Sequence, residues 1–492
     1  MDARGRIARE RILDGCGPTI VSVTRARTIR ASFVRAGVGL LVVTCSSAGT
    51  LGVEQPSAAV TPPPASAARN EPESSSIQPL VPVTRFTSPV DGVTIDELSA
   101  VVVLPAFAQA VHSALPRAQV TVDADPLARV RDTGEIALVP PSLVNVSVKT
   151  LSINGRYYWD AGDAGDYPLR IVTAGGAVLP STKWKMVAAG EMIFGRGVQE
   201  RIERHQHGDA SSVFTELRAI IRSGDLAVAT LEAPLSGNAN QWCDTCMRFV
   251  GNERYAAAIA QAGFGVVSLA ANHIGDAGPI GVLNTIRALD SVGIAHAGAG
   301  ADRVAAHEPA FVTAGGQRVA VLAYNDVPPA SYAAGETSPG SAQLTHDDPE
   351  YRSVRAEIAR ARARADVVIV LAHWGIEYED APQPQVVAAA HAMIEAGAAV
   401  VIGDHPHWVQ SVESYRGAFI TYGIGNFVFD QMWSMETREG SIEEIYFDGV
   451  RPVAVRIRPT IIDDYYRPRL LAANEAAYRD TLARIWRHSI FK

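Results

Sequence analysis

Only four of the 492 residues are cysteine, too few for a disulfide scaffold in a chain of this size. Positive charge is also in deficit. A formal net charge of −8 implies no broad basic face, which argues against a nucleic-acid partner. No internal repeat of solenoid length is present, so a stacked-repeat architecture is excluded. What remains is 47% hydrophobic and 20% charged, the balance of an ordinary globular protein. The length allows two domains and a targeting segment.

Residues 1–50 read as a signal peptide or signal anchor. Arginines at 4, 6, 9, 11, 25, 27, 30 and 35 precede the charge-free run AGVGLLVVTCSSAGTLGV, and a basic region followed by a short apolar one is an export pattern. Cys45 follows LVVT and is a candidate lipidation site. Each of these readings places the rest of the chain outside the cytoplasm, at the surface or tethered to the membrane. Residues 51–80, rich in Ser, Ala and Pro, lack hydrophobic periodicity and read as a disordered linker.

Residues 81–180 read as a small α/β accessory domain. VTIDELSAVV predicts a helix capped by Thr94 with Glu97 three positions on, while EIALVP, VSVKTLSI and PLRIVTA predict strands. This order resembles part of a phosphate-type periplasmic binding protein. A solvated domain that binds nothing fits the same pattern.

From Lys183 onward, apolar runs (WKMVAAG, DLAVATLE, GFGVVSLAANH, RVAVLAYN, ADVVIVLAHWG, AAVVIGDHPH) alternate with amphipathic stretches. Continuous apolar strands imply burial on both faces and a layered α/β architecture, with ligand sites beyond the carboxyl ends of the strands. Those ends carry Glu191, Glu232, Asn272-His273 with Asp276 nearby, His373-Trp374 with Glu377, and Asp404-His405-Pro406-His407. The next run adds Asn426 and Asp430. Alternate residues of an extended segment point the same way, so His405 and His407 can converge. His205 and His207 have the same spacing in a polar stretch and read as a solvated loop. Imidazole, carboxylate and amide oxygen together suit Mn, Fe or Zn. Two such ions ~3.5–4 Å apart can activate water against a phosphoryl group. Cys243 and Cys246 form a lone CxxC, read as a disulfide that staples a loop, with a metal or redox role as the alternative.

The blocks GEMIFGRG, TLEAPLSG, GFGVVSLAANHIGDAGPIGVLNTIRALDSVGIAHAGAG, VIVLAHWGIEYE, GAAVVIGDHPHWVQSVESY and YGIGNFVFDQ resemble, in order and spacing, those of the CapA-type capsule (poly-γ-glutamate) synthesis family. The resemblance covers residues 183–465 and leaves 466–492 as a C-terminal helical tail. It implies a calcineurin-like metallophosphatase fold, a layered β-sandwich flanked by helices. It also implies a role with a capsule polymer and its synthesis or export machinery, either as a phosphoesterase-like hydrolase or as a non-catalytic assembly or anchoring protein. By the same resemblance Glu191 and His407 hold a first metal, Glu232 bridges, and Asn272, His373 and His405 hold a second. His273 gives a proton to the leaving oxygen, and Trp374, Glu377 and Asn426 line the cleft. The family usually has Asp where Glu191 stands and a second Asn where Ala271 stands. Metallophosphatases carry His where Ile193 stands. These departures imply a weaker first site.

Overall fold

The computed structural model describes residues 75–160, 162, 166–174, 181–237, 248–327 and 329–491. The export segment, Cys45, the Cys243–Cys246 pair and most of the linker lie outside the described residues. Among the described residues, no helix is long and apolar enough to cross a membrane.

Two sheets face each other. The first runs, in spatial order, Ala295–Ala297, Val266–Ser268, Leu226–Leu231, Lys183–Met192, Glu439–Asp448, Arg451–Asp463 and Arg467–Leu470, with Asn426–Val428 added beside Lys183–Met192. The second runs Ala310–Ala314, Gln317–Asn325, Val367–His373, Val400–Asp404, Ala418–Thr421, Val412–Tyr415 and Ile490–Phe491. Successive side chains of a strand point to opposite faces, and the packing follows that rule. Met186 and Ala188 enter the inter-sheet core with Val228, Val321, Ile369 and Ile402. Val187 and Ala189 turn outward, under the helices Tyr255–Ala262 and Gly278–Ser291. Arg352–Arg362 and Pro384–Glu395 cover the outer face of the second sheet through Ile358, Ala389 and Met393. The result is the helix-flanked, two-sheet sandwich expected.

Each sheet contains a parallel run, from Lys183–Met192 to Ala295–Ala297 and from Gln317–Asn325 to Ala418–Thr421. Because the strands in a run are parallel, their carboxyl ends collect at one edge. The candidate side chains lie at these edges.

Nearer the N-terminus, a five-stranded sheet has the order Gln119–Val122, Ala100–Val103, Ala137–Val139, Val81–Arg85, Val148–Thr150. Its core continues onto Tyr446, Val453 and Ala454 of the main sheet, and the Tyr446 hydroxyl donates to Asp160 at 2.8 Å. The capped helix start expected over VTIDELSAVV forms as one 3-10 turn, Ile95–Glu97 with Thr94 as N-cap, and does not continue into the valines. Glu97 does accept from the Thr94 N–H at 2.7 Å, but the turn Ile95–Glu97 stops there and Ala100–Val103 is a strand between two others. Three consecutive valines favour extended backbone, and pairing on both edges outweighs a local cap. Ser75–Pro79, within the stretch read as linker, pairs with Arg170–Ala174. Of residues 466–492, Arg467–Leu470 closes one sheet, Ala476–Trp486 is a helix, and Ile490–Phe491 closes the other sheet.

Candidate functional site

Glu191 lies near the end of Lys183–Met192, beside Asn426 in the register. Glu232 follows Leu226–Leu231, and Asn272 and His273 follow Val266–Ser268. Across the gap, His373 ends its strand in register with both Asn325 and Asp404. Sheet topology thereby collects residues as far apart in the chain as Glu191 and His405 into one buried cluster. Glu191 and Glu232 are completely inaccessible, and His373, His405, His407 and Asp404 are all buried.

The Glu191 carboxylate accepts from the His405 backbone N–H and lies 2.7 Å from His407 Nδ1. The hydrogen bond of that ring nitrogen goes to Asn426 Oδ1 at 2.9 Å. His373 Nδ1 contacts Asp404 Oδ1 at 2.7 Å, and its Nε2 lies 3.0 Å from Asn272 Oδ1. With Nδ1–H donating to Asp404, Nε2 presents a lone pair beside an oxygen lone pair, an arrangement that suits a shared cation. Ring centroids of His373 and His405 are 4.8 Å apart, and those of His405 and His407 are 5.8 Å apart.

His405 and His407 converge by a route different from the one their spacing predicts. The strand stops at Asp404, and both histidines adopt left-handed backbone, with φ of +93° and +57°. Such conformations cost on the order of 1–3 kcal/mol each for non-glycine residues and cluster at functional sites. The turn, not an extended strand, aims both rings inward.

Three sets of side chains bring one ligand atom each within 4.8 Å of one another: Glu191, Glu232 and His407; Glu191, His373 and Asp404; Glu377, His405 and His407. Both Glu232 oxygens and His405 Nδ1 are buried without a hydrogen-bond partner. A buried polar group left in that state costs several kcal/mol, so the donor set fits a cation better than it fits an empty core. The electrostatics agree. Burial, and after it the Glu191 carboxylate, pushes the Glu232 carboxyl well above the usual range. Burial would raise Glu191 too, but His407 and then His373 hold it below that range. Burial, and after it the His373 and His407 imidazoles, pushes His405 well below the usual imidazole value. Burial also pulls His407 down, yet Glu191 and Asn426 outweigh it and hold that ring above the usual imidazole value.

His273 stands beside these groups in a different setting. Its Nδ1 contacts Asp276 Oδ2 at 2.8 Å, and the same oxygen accepts from the Phe249 N–H at 2.7 Å. Asp276 is thus fixed from two sides, and Nε2 of His273 is left without a partner among the described residues. Glu377 is exposed at the rim, next to Ile376 and the half-buried Tyr378. The Tyr378 ring stacks on His407 at 5.9 Å and meets the exposed Trp433 edge-on.

Trp374, expected to line the cleft, does not. It follows His373 and so points to the opposite face, where it is wholly buried beside Met393 and donates to the Tyr422 carbonyl at 2.9 Å. His205 and His207 are exposed, as expected, but the loop expected there is only partly formed: His205 is the last residue of the helix Arg196–His205, and His207 lies in the turn that follows. Asp404 is the residue that spacing undervalued. Its signal, a carboxylate at the end of a buried strand, was present, but its partner lies 31 positions earlier in the chain.

The pattern of the family described as "Bacterial capsule synthesis protein PGA_cap" matches residues 185–431, half of the chain. "Capsule biosynthesis protein CapA" of Bacillus anthracis is 32% identical over 267 residues, which is 54% of this chain and 64% of that protein. "PGA biosynthesis protein CapA" of Bacillus subtilis (strain 168) is 31% identical over 263 residues, 52% of this chain and 66% of that protein. The match thus leaves about a third of each relative unspanned. "Probable polyglutamine synthesis accessory protein Rv0574c" of Mycobacterium tuberculosis is 32% identical over 237 residues, 45% of this chain and 62% of that protein. Among solved structures, TT1561 of Thermus thermophilus aligns with a TM-score of 0.30 and 11% identity, over 54% of this chain and 98% of that one. The 5'-nucleotidase from Candida albicans SC5314 aligns with a TM-score of 0.35 and 9% identity, over 61% and 56%. The matched span runs from the strand that bears Glu191 to just past Asn426 and so encloses the whole cluster; the chain belongs to the bacterial capsule synthesis protein PGA_cap family.

Proposed function

We propose that this protein serves the synthesis of a capsular, poly-glutamate-type polymer outside the cytoplasm, and that its buried cluster is a metal-dependent hydrolase site. The observation that carries the site reading is Glu232, a wholly buried carboxyl with neither oxygen partnered, within reach of Glu191 and His407. Glu191, Glu232 and His407 would hold one ion, and Asn272, His373 and His405 a second. Divalent ions there supply Lewis acidity toward a phosphoester or a polymer linkage.

The chain's own residues supply the rest. Asp404 fixes the tautomer and aim of His373. Asn426 does the same for His407. Asp276 holds the Nδ1 proton of His273, so Nε2 is the atom that exchanges a proton with a leaving oxygen. The Arg-rich, then apolar, N-terminal segment supports export and membrane tethering, near the machinery that makes the polymer.

A second reading, an assembly protein that keeps the fold without turnover, is favoured by one observation. Ile193, at the position where a metallophosphatase ligand is expected, is buried in an apolar cluster with Phe249 and Phe429. Metal content of the full chain, purified without chelator and measured by mass spectrometry, separates the two. Near two equivalents of Mn, Fe or Zn supports the hydrolase. No metal after reconstitution leaves the assembly reading.

A further inference from the structure

Arg196 has no part in holding a metal, yet its placement is costly and specific. It follows Glu191 by five residues, on the loop that leaves the Lys183–Met192 strand, and opens the helix Arg196–His205. Its φ is +46°, a conformation a β-carbon disfavours. The guanidinium lies over the ring of Phe249 at 4.5 Å and near that of Phe429 at 5.6 Å. Phe249 in turn contacts His273, with ring centroids 4.4 Å apart, and Phe429 contacts His407 at 5.3 Å. One phenyl ring therefore separates the cation from the proton-carrying histidine, and one separates it from a candidate ligand.

Asp430 holds the guanidinium in place. Its Oδ1 accepts from Nη2 at 2.5 Å and its Oδ2 from Nε at 3.2 Å, and Oδ2 also accepts from the Gly197 N–H at 2.9 Å. A β-carbon at Gly197 would meet Asp430 Oδ2 at 2.9 Å, so the glycine is what lets the carboxylate sit so close. This clasp uses one edge of the fork. Nη1 has no protein partner among the described residues, and the side chain is 26% exposed while Asp430 is only 9% exposed. A guanidinium held by one carboxylate, set over an aromatic ring, with no partner on its second edge among the described residues, is preorganised to take a second anion. The positive end of its own helix adds to that preference.

We infer that Arg196 is an anion anchor beside the cluster, which binds a carboxylate or phosphate carried by the molecule in the cleft. This rests on the cleft being the binding site proposed above, but not on hydrolysis. The substrate class it selects is an anionic chain or ester, with a negative group one residue or one linkage away from the group at the cluster.

The test measures binding by calorimetry on the full, metal-loaded chain with three probes: a γ-linked hexaglutamate, the hexaglutamine of equal length, and inorganic phosphate. Arg196→Lys keeps the charge but loses the fork, and Arg196→Gln keeps a planar amide over Phe249. Hexaglutamate should bind the native protein at least about tenfold more tightly than hexaglutamine, and both variants should lose that preference without losing metal. A variant-dependent loss confined to phosphate supports the anchor and makes phosphate its ligand. Unchanged affinities in both variants, or a native protein that binds neither anion, would overturn the inference. So would failure of both variants to fold, since Arg196 would then be a structural clamp. Arg196-dependent binding without any turnover would retain the anchor and remove only the hydrolase reading.

Discussion

His373 and Asp404 end adjacent parallel strands in direct register, and their side chains meet at 2.7 Å in a buried pair. The carboxylate accepts the Nδ1–H hydrogen bond and turns Nε2 toward Asn272, so a residue outside the six proposed ligands decides how one of them is presented. Asp404→Asn should lower metal affinity about 10–100-fold, the usual effect of losing such a partner. Calorimetric titration with Mn²⁺ or Zn²⁺ reads this directly. Unchanged affinity would remove Asp404 from the site.

His273 is assigned a proton and not a metal. His273→Ala should therefore reduce turnover of a phosphodiester by about 10²–10⁴-fold while metal content stays as in the native protein. His405→Ala should reduce metal content itself. Loss of metal from the His273 variant would reverse its assignment.

Glu232 links metal to stability. A ligand that binds only the folded state at 100 times its dissociation constant stabilises by about 2.7 kcal/mol, so saturating divalent metal should raise the melting temperature of the native chain. Glu232→Gln, which keeps shape and removes charge, should abolish that rise and leave the metal-free protein at least as stable, since the carboxyl is unpartnered there. Calorimetric scans with and without metal decide it.

Glu443 gives a pH signature separate from the cluster. Buried between the sheets, with Thr421 Oγ1 donating to it at 2.7 Å, its carboxyl is pushed up to about 7 by burial, which outweighs that hydrogen bond. A raised folded value means that folding takes up a proton. The stability is fully present below the unfolded value, near 4.5, and is lost as pH rises through about 7. The slope in this window is at most about 1.4 kcal/mol per pH unit. Urea midpoints from pH 4 to 8 should fall with pH less steeply in Glu443→Gln than in the native chain. Parallel slopes would show that Glu443 does not titrate there.

Gly190 tests how closely two strands approach beneath the site. A β-carbon there would lie 1.9 Å from the Gly425 carbonyl oxygen, which accepts from the Glu191 N–H at 3.4 Å. Gly190→Ala should destabilise by about 1–3 kcal/mol through overpacking and displace Glu191, lowering metal content as well. A variant with native stability and metal content would show that the strands part without cost.

Much of this protein was legible along the chain because its information is local. A short apolar run, followed at once by an ionisable residue, announces a buried strand and what stands at its carboxyl end. Glu191, Glu232, His373 and His405 stand at strand ends by that reading, with Asn272 as a polar neighbour. Side-chain alternation was legible too, although Trp374 shows that the residue after a ligand belongs to the opposite face. Other features depended on partners distant in sequence. Ala100–Val103 became a strand because Gln119–Val122 and Ala137–Val139 lie on its two edges, which no local cap reports. His405 and His407 converge through left-handed backbone, a strain held only by the packing around it. Asp404 acquires its role from His373, and Arg196 from Phe249, Phe429 and Asp430. Sequence by itself determined which residues are buried and which chemistry stands at the strand ends, since burial period and residue type are properties of short segments. Tertiary structure alone decided which of those groups meet in a hydrogen bond, a ring contact or a candidate ligand set, since such pairings depend on distances of a few ångströms between segments that only the sheet order brings together.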